Sequence, residues 1–282
     1  MTSVAVVVGH SRNDDAHRLA NLAWVVARYQ AHDYPVAVGA AASTPWVKAH
    51  AFNPTAATLD ADVLVIADAD CIVTRGALAA TVTAAARDGY AVPAKAVHRL
   101  TPEATSAVLG RMPGDDIAER LPCEGKHQLL AGGGIVAIAR DLWHEVRGFD
   151  PRFVGWGGED FALGCALYGL TGHYPRRQHG VLWHLWHPPQ GRNQRLTPDN
   201  ERLSNRYRSA KFDRAAMRAL INEREDPWPP QPDLTPAPPT ESARSTPAST
   251  PPPTTTPAAP RPRRKAPRPA RDRKVGPAHG AV

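Results

Sequence analysis

Residues 63–70 read VLVIADAD, a run of five apolar residues followed by two acids with one alanine between them. An uninterrupted apolar run of this length is typical of a parallel strand that is buried on both faces of a sheet. Residues 4–8 (VAVVV) and 135–139 (IVAIA) have the same character. The sequence therefore predicts several buried strands, which need helices packed against both faces of their sheet.

Helical patterns lie between these strands. Residues 14–30 place Leu19, Leu22, Ala23 and Val26 at helical spacing, which predicts one apolar face. Further helices are predicted at 76–88, at 140–147, at 159–168 with a stop at Gly169, and from Thr197-Pro198 onward. The alternation of strands and helices predicts an α/β domain, in which ligands bind beyond the carboxyl ends of the strands.

The composition of the chain changes after residue 226. Residues 227–282 contain 17 of the 29 prolines, and nine basic residues against three acidic ones. The net charge of +7 therefore resides mainly in this segment and leaves +1 for residues 1–226. A segment so poor in large apolar residues cannot bury enough surface to offset its ordering entropy. We predict a folded domain at 1–226 and a disordered tail at 227–282, which serves as a solvated linker or contacts an acidic partner or nucleic acid.

The number and spacing of the cysteines indicate the redox state of the cellular compartment. Cys71, Cys123 and Cys165 are odd in number and far apart, which favours free thiols in a reducing environment, so we expect a cytoplasmic protein. No run of about 18 apolar residues occurs, and a membrane-spanning helix is therefore not predicted. The apolar run at 4–8 has no positive charge before it and is interpreted as a strand rather than a signal peptide.

Asp68 and Asp70 directly follow the buried strand at 63–67. Because side chains alternate along a strand, both carboxylates would point to the same side and repel each other unless a cation lies between them. Mg²⁺ and Mn²⁺ take oxygen ligands of this kind, and the alternative is a loop-capping role. His184 and His187 lie three residues apart in the apolar segment VLWHLWH, and they are either further ligands or satisfied core histidines.

The segment GWGGEDFALG at 155–164 surrounds a tryptophan with glycines and then places two acids at a helix start. The glycines allow close backbone approach, and Trp156 offers an apolar plate on which a sugar ring can stack. Glu159 and Asp160 would lie in the first helical turn, where negative charge is favoured. An ionised acid beside a sugar can accept a hydroxyl proton as a general base, and helix capping is the alternative role.

The stretch AGGGIVAIARDLWHEVRGFDPRFVGWGGEDFALG at 131–164 resembles the carboxyl-terminal half of the β-1,4-galactosyltransferases and related N-acetylgalactosaminyltransferases. The spacing of Gly133-Gly134, Gly148-Phe149 and the GWGGED block is similar to the family pattern. Upstream, Phe52-Asn53 followed by VLVIADADC resembles the Phe-Asn segment and acidic strand of the family. Downstream, HLWH lies where the family has a late metal-binding segment. The resemblance extends over residues 4–210.

The resemblance implies a GT-A glycosyltransferase, a single α/β domain with a mixed, mostly parallel central sheet, which uses a UDP-sugar and Mn²⁺ or Mg²⁺. It implies metal ligands at Asp70, His184 and His187, with Asp68 shared between the metal and the donor. It also implies that Asp160 is the inverting catalytic base and that Glu159 contacts the acceptor or the donor sugar. The donor-binding residues that it implies are Ser11, Arg12, Asn53, Asp68, Gly133, Gly134, Trp156, Gly157 and Gly158.

Two departures from the family pattern affect these expectations. Pro54 stands where the family has arginine, so a basic donor contact is missing, and Lys48 or Arg12 would replace it. Phe161 stands where the family has a further acid, so the family pattern does not determine the acceptor. The acceptor is a glycan, a protein or a small molecule. Asp160 favours inversion because related retaining enzymes have asparagine there. The alternatives are a retaining transferase and a non-catalytic nucleotide-sugar or carbohydrate-binding protein on the same fold.

Overall fold

The structure is a computed structural model that describes residues 2–117, 120–188 and 196–228. The strands in these residues are β1 (Val4–Ser11), β2 (Val36–Ala41), β3 (Val63–Asp68), β4 (Cys71–Ile72), β5 (Tyr90–Leu100), β6 (Cys123–Gln128), β7 (Ile135–Ala139) and β8 (Arg176–His184). The helices are α1 (Ala16–Ala31), α2 (Lys48–Ala57), α3 (Arg75–Asp88), α4 (Pro102–Leu109), α5 (Arg140–Glu145), α6 (Glu159–Thr171), α7 (Pro198–Ala210) and α8 (Arg214–Asn222).

All eight of these strands belong to one sheet. Seven of them follow the order β2-β1-β3-β7-β5-β8-β4, and β6 pairs with β5 beside this path. Strands β2, β1, β3, β5 and β8 run in one direction, whereas β7, β4 and β6 run in the opposite direction. The prediction of an α/β domain with a mixed, mostly parallel sheet is confirmed.

The central strands are buried as their apolar sequences predict. No residue from Val63 to Ala67 in β3 is more than 3% exposed, and Val6, Val7 and Val8 of β1 are fully buried. A strand that is buried on both faces has a fixed position, because shifting it would expose apolar side chains to water. The loops that follow β1 and β3 therefore start from fixed points.

The strand pairings bring distant segments to one edge of the sheet. Gly9 near the end of β1 pairs with Asp68 at the end of β3, and Ile135 starts the antiparallel strand β7 at the same edge. Strand β4 then pairs with the end of β8, so that Cys71 lies opposite His184. This edge gathers the residues after β1, the two acids after β3, the residues before β7 and the histidine segment.

The buried face of α1 differs from the predicted one. Leu19 is 45% exposed, whereas Asn21, Trp24 and Arg28 are buried. Arg28 can be buried because its guanidinium donates to three backbone carbonyl oxygens, and the Asn21 side chain donates to the carbonyl of Trp186. Leu22 and Val26 pack against the core as predicted, whereas Leu19 and Ala23 are exposed. The prediction was therefore wrong for half of the face, because buried polar side chains with distant backbone partners cannot be recognised from helical periodicity.

Helix α6 continues past its predicted stop at Gly169. The helix ends at Thr171, and Gly172 with a φ of 77° forms the left-handed cap. Gly169 lies inside the helix, where an added Cβ would come within 2.9 Å of Met217 on α8. Gly169 is therefore a packing residue that lets α8 approach α6, and the glycine that ends the helix comes three residues later.

The described chain ends at Trp228, whose ring centroid lies 5.7 Å from that of His144 on α5. The tail predicted at 227–282 lies outside the described residues from residue 229 onward. Within the described part of the chain, no helix is both long enough and apolar enough to cross a membrane.

Candidate active site

A cavity of about 490 Å³ opens at the sheet edge where β1 and β3 end. Ten of the residues predicted to form the site line it: Ser11, Asp68, Asp70, Gly133, Gly134, Trp156, Glu159, Asp160, His184 and His187. The other four, Arg12, Asn53, Gly157 and Gly158, are not among the lining residues. The fold therefore brings the acid pair, the histidine pair and the GWGGED segment to one cavity.

Asp70, His184 and His187 form a cluster of potential metal ligands. Their ligand atoms all lie within 4.8 Å of one another. Asp70 Oδ2 is 3.0 Å from His187 Nε2 and 3.6 Å from His184 Nε2. The pairing of β4 with β8 positions the cluster. One further hydrogen bond continues this strand pairing: the Leu185 N–H donates to the Asp70 carbonyl over 2.7 Å. One carboxylate and two imidazoles suit a divalent transition-metal ion.

The hydrogen bonding of His187 supports a cation at this position. Its Nδ1 lies 2.9 Å from the Pro188 carbonyl oxygen, which can only accept, so Nδ1 carries the hydrogen. In a neutral ring the Nε2 lone pair then faces the Asp70 carboxylate, and the two acceptors repel unless a proton or a metal ion lies between them. A hydrogen bond from the second ring nitrogen to a carbonyl is the usual support for a metal-bound histidine. The residues fit a divalent metal ion.

The ionisation of the cluster also suits ligation. Burial is the main cause that lowers the pKa of His184 to about 4, which keeps the imidazole neutral. Burial raises the pKa of Asp70, but His184 and His187 lower it by more, so the carboxyl group is ionised. The Arg99 guanidinium lies 3.3 Å from His184 Nε2 and donates to it, so a metal ion bound through this nitrogen would have to displace Arg99. Metal ligands must be deprotonated, and His184 and Asp70 meet that requirement.

Asp68 lies beside this cluster but makes different contacts. Its Oδ1 is 2.7 Å from Lys48 Nζ, and its Oδ2 accepts a hydrogen bond from the Gly134 N–H over 3.1 Å. Its own backbone N–H donates to the Gly134 carbonyl. A carboxylate oxygen of Asp68 also lies within 4.8 Å of ligand atoms of Asp70 and Cys71. Asp68 is thus held by Lys48 and Gly134, whereas the two histidines contact Asp70.

Lys48 connects the acid pair to the GWGGED segment. Its ammonium group lies 2.7 Å from Asp68 Oδ1 and 2.8 Å from Asp160 Oδ1, and its side chain is only 9% exposed. The rings of Phe52 and Phe149 lie 5.4 and 4.9 Å from the same nitrogen. Burial lowers the pKa of Lys48, but Asp160 and Asp68 raise it well above its usual value. Lys48 is therefore a buried cation, which the sequence indicated only as a substitute for a missing basic residue.

Asp160 has the environment of a base that works near neutral pH. Burial raises the pKa of Asp160 to about 7, with Lys48 opposing this shift and Glu159 and Asp68 adding to it. The Oδ2 of Asp160 packs against Gly133, where an added Cβ would lie 2.5 Å away, so a side chain at this position would displace the carboxylate. A pKa close to the working pH is what general-base catalysis favours.

Glu159 lies beside Asp160 at the start of α6 and also lines the cavity. Burial is the main cause that raises the pKa of its carboxyl group. Its Oε2 is buried and has no hydrogen-bond partner within the described residues. A buried polar atom without a partner is costly, and a hydroxyl group of a bound substrate would satisfy it.

The two glycines before α6 shape the loop rather than contact the cavity. Gly157 and Gly158 both have a φ of 101°, a conformation that other residues rarely adopt. An added Cβ on Gly158 would come within 2.6 Å of Phe153 and Ser204. These glycines turn the chain between Trp156 and the acids of α6. Trp156 lines the cavity and is 52% exposed.

Asn53 and Arg12, two of the predicted donor-binding residues, are not among the residues that line the cavity. Asn53 is buried, and its side chain binds the backbone of Phe149, donating through Nδ2 over 2.7 Å and accepting through Oδ1 over 2.9 Å. Asn53 thus connects α2 to the segment after α5. Arg12 follows β1, and its backbone N–H donates to the Ala41 carbonyl, outside the set of cavity-lining residues.

We expect Asn53→Ala to destabilise the fold while leaving nucleotide affinity unchanged. The substitution leaves the buried Phe149 N–H without its acceptor, which costs about 1–3 kcal/mol. Urea unfolding measures the loss of stability, and titration with UDP measures affinity. Asn13→Ala, at an exposed position, is the matched control and should change neither the stability nor the UDP affinity. Unchanged stability together with weakened UDP binding would instead assign Asn53 to the donor site.

One family comparison bears on the segment that carries Asp160. The family model described as the N-terminal domain of galactosyltransferase matches residues 118–178. This segment includes the glycines before β7, β7 itself and the GWGGED block. The resemblance to galactosyltransferases is therefore confirmed over this part of the chain. A comparison with curated protein sequences found no match.

Several solved structures are similar to this chain at low identity. The catalytic domain of Drosophila beta-1,4-galactosyltransferase 7, in complex with xylobiose, gives a TM-score of 0.42 at 13% identity, over 73% of this chain and 80% of that chain. GalNAc-T7 with UDP, GalNAc and Mn²⁺ gives 0.48 at 13% identity, over 79% of this chain and 55% of that chain. Glucosyl-3-phosphoglycerate synthase from Mycobacterium tuberculosis, with Mn²⁺, UDP-glucose and phosphoglyceric acid, gives 0.40 at 15% identity, over 78% and 80%.

Proposed function

We propose that this chain is a GT-A glycosyltransferase that transfers a hexose or N-acetylhexosamine from a UDP-sugar to an acceptor hydroxyl, with inversion. The observation that carries the proposal is the shared cavity, which holds a metal-ligand cluster around Asp70 and a carboxyl group, Asp160, with a pKa of about 7. The galactosyltransferase family match over residues 118–178 supports it, because that segment contains Asp160.

In this proposal the UDP-sugar donor binds in the part of the cavity that contains the metal-ligand cluster. Asp70, His184 and His187 would hold Mn²⁺ or Mg²⁺, which when bound neutralises charge on the diphosphate leaving group. Arg18 and Arg99 line the same cavity and bring further positive charge toward the departing diphosphate. Asp68 contacts Lys48 through Oδ1 and accepts from the Gly134 N–H through Oδ2, and each oxygen keeps a lone pair that suits a hydroxyl group of the donor.

The acceptor step depends on Asp160. As the acceptor oxygen attacks the anomeric carbon, Asp160 takes its proton, the bond from that carbon to the diphosphate breaks, and UDP leaves. Lys48 contacts Oδ1 of Asp160, which fixes the orientation of the carboxylate within the cavity. Attack from the side opposite the leaving group inverts the anomeric configuration. Trp156 stands at the cavity wall four residues before the base and excludes water from one side of the reacting atoms.

A donor screen tests the proposal without knowledge of the acceptor. The full chain is incubated with Mn²⁺ and UDP-glucose, UDP-galactose, UDP-N-acetylglucosamine or UDP-N-acetylgalactosamine, and the release of UDP by hydrolysis is measured. We expect release from at least one donor, and its loss on addition of EDTA. Binding of a UDP-sugar with no release under any condition would instead support a non-catalytic nucleotide-sugar-binding protein.

The activity should depend on pH through Asp160 and Lys48. Because Asp160 must be ionised to act as base and its pKa is raised to about 7, activity should fall as the pH drops below about 7. Lys48→Met removes the positive charge that opposes this rise, so the acid limb should move upward by about 1–3 pH units. The pH profile of kcat/KM measures the shift. Lys95→Met, at an exposed position, should leave the limb in place.

A further inference from the structure

Arg99 contacts one of the ligand nitrogens of the metal-ligand cluster. It lies in β5, where it pairs with His184 at the end of β8. Its Nη1 is 3.3 Å from His184 Nε2. A guanidinium carries only donors, so the lone pair of this nitrogen accepts the hydrogen bond. The same nitrogen lies 3.6 Å from Asp70 Oδ2, and it is therefore the one that would bind a metal ion shared with Asp70.

The second histidine of the cluster makes different contacts. His187 Nε2 lies 3.0 Å from Asp70 Oδ2, and its Nδ1 donates to the Pro188 carbonyl oxygen. The Nε2 lone pair of His184, in contrast, cannot accept a hydrogen bond from Arg99 and bind a metal ion at the same time. His184 therefore has to give up one cation before it can take the other.

The charge of Arg99 cannot be removed by proton transfer, because a guanidinium stays protonated in proteins. The exchange of partners therefore requires movement of the side chain. Arg99 is partly buried and lines the cavity, so its side chain borders open space. A second guanidinium, that of Arg18, lines the same cavity and adds positive potential at Asp70. An anion bound in the cavity is the partner that Arg99 would gain on leaving His184.

We propose that Arg99 exchanges between two partners: it holds the ligand nitrogen of His184 before a divalent ion binds, and it contacts the diphosphate of the donor once the ion is bound. The inference rests on the proposed function, which supplies the diphosphate. A diphosphate offers pairs of oxygens to the forked guanidinium, which can bind them bidentately. The exchange breaks no covalent bond and transfers no proton.

The exchange makes metal binding and donor binding depend on each other. Without the ion, Arg99 competes for His184 and weakens the affinity of the cluster for the ion. With the ion bound, Arg99 is released and strengthens the affinity for the diphosphate. Such a coupling is reciprocal, so a bound diphosphate also strengthens metal binding by keeping Arg99 away from His184. The cavity therefore favours the ion and the nucleotide together over either one alone.

The test uses Arg99→Met in the full chain, which removes the charge and the donors but keeps an unbranched side chain. The matched control is Arg176→Met, at an exposed arginine that starts β8 and pairs with Asp88 outside the cavity lining. Mn²⁺ affinity is measured without nucleotide, from the EPR signal of the free ion. UDP affinity is measured by calorimetry at saturating Mn²⁺. Thermal unfolding shows whether each variant is folded, and Arg99→Gln, which is also neutral, replaces Arg99→Met if the latter is unfolded.

We expect Arg99→Met to shift the two affinities in opposite directions. Mn²⁺ affinity without nucleotide should rise about tenfold or more, because a hydrogen bond from a charged donor no longer competes for His184. UDP affinity at saturating Mn²⁺ should fall about tenfold, because a charge-assisted contact is lost. Arg176→Met should change neither affinity. Unchanged or weakened Mn²⁺ affinity in Arg99→Met overturns the inference, and so does unchanged UDP affinity.

A double-mutant cycle with His184→Ala separates the exchange at His184 from a general effect of charge. If Arg99 competes for the His184 nitrogen, the gain in Mn²⁺ affinity caused by Arg99→Met disappears when residue 184 is alanine. A gain of the same size in the His184→Ala background would come only from the loss of a nearby positive charge, and it would overturn the exchange.

The failure of the proposed function can be told apart from the failure of this inference. If the wild-type chain releases UDP from no donor, the transferase assignment fails. Neither the Mn²⁺ titration nor the UDP titration needs turnover, so both still test the exchange in such a protein. A chain that turns over a donor but shows no opposite shifts in Arg99→Met keeps the proposed function and loses the inference.

Discussion

Asp160→Asn is expected to lower the rate of sugar transfer by about 10²- to 10⁴-fold, the range that a positioned general base contributes. Asparagine keeps the size of the side chain but cannot take a proton from the acceptor hydroxyl. It can still accept a hydrogen bond from Lys48, which also keeps its contact with Asp68. Because the change affects the proton acceptor and spares the metal-ligand cluster, UDP affinity should change little.

The matched control is Asp199→Asn. Asp199 occupies the first turn of α7, as Asp160 occupies the first turn of α6, but it is exposed and pairs with Arg202. Its substitution should leave the transfer rate unchanged. Full activity of Asp160→Asn would remove the base assignment, and a loss of UDP affinity equal to the loss of rate would make Asp160 a donor-binding residue.

The stereochemistry of the product tests the same step independently. UDP-sugars such as UDP-glucose carry an α-linked sugar, so attack from the opposite face gives a β-linked product. Proton NMR of the anomeric position distinguishes the two linkages in a single reaction. A β product agrees with direct displacement assisted by Asp160. An α product would require a retaining mechanism and would leave Asp160 without the role proposed for it.

The sequence predicts those parts of the site that depend on local signals. A buried strand that ends in two acids places Asp68 and Asp70 at the carboxyl edge of the sheet, because strand burial and side-chain alternation are local properties. The position of Asp160 could also be predicted from the sequence, because glycines followed by acids mark the start of a helix. The structure adds that Gly133 is needed to make room for the carboxylate of Asp160, a contact between residues far apart in the chain.

The contacts of Lys48 could not be derived from the sequence. Helix α2 has no side-chain cap at its start and contains Pro54, two features that argue against a helix. A lysine in such a segment would ordinarily be solvent-exposed. Its burial depends on Asp68 from β3 and Asp160 from α6, which the chain brings together only in the folded state. No periodicity within α2 encodes partners on other elements.

The contacts within the histidine cluster could not be derived from the sequence either. The sequence indicated His184 and His187 as possible ligands but contained no signal that β8 would pair antiparallel with the two-residue strand β4. That pairing sets the distances between the histidines and Asp70. Strand partners far apart in sequence are selected by tertiary packing, so local patterns cannot identify them.

Asp70→Asn is expected to reduce donor turnover to the level that remains after treatment with EDTA, a loss of about 10²-fold or more. In the proposed mechanism a bound ion would stabilise the leaving diphosphate by several kcal/mol, and removal of the one carboxylate in the cluster would forfeit that contribution. The readout that does not depend on activity is Mn²⁺ affinity, measured from the EPR signal of the free ion. Affinity should fall in parallel with turnover, and His187→Ala should behave in the same way.

Asp68→Asn is the informative comparison, because Asp68 lies two residues away and contacts Lys48 and Gly134 instead of the histidines. If Asp70 is the ligand and Asp68 binds the donor, Asp68→Asn keeps its Mn²⁺ affinity and loses UDP-sugar affinity, whereas Asp70→Asn loses both. Equal loss of Mn²⁺ affinity in the two variants would show that the ion is bound between the two carboxylates. Normal Mn²⁺ affinity in both Asp70→Asn and His187→Ala would exclude the histidine cluster as the metal site, since a site that loses its charged ligand or one of its two imidazoles does not keep its full affinity.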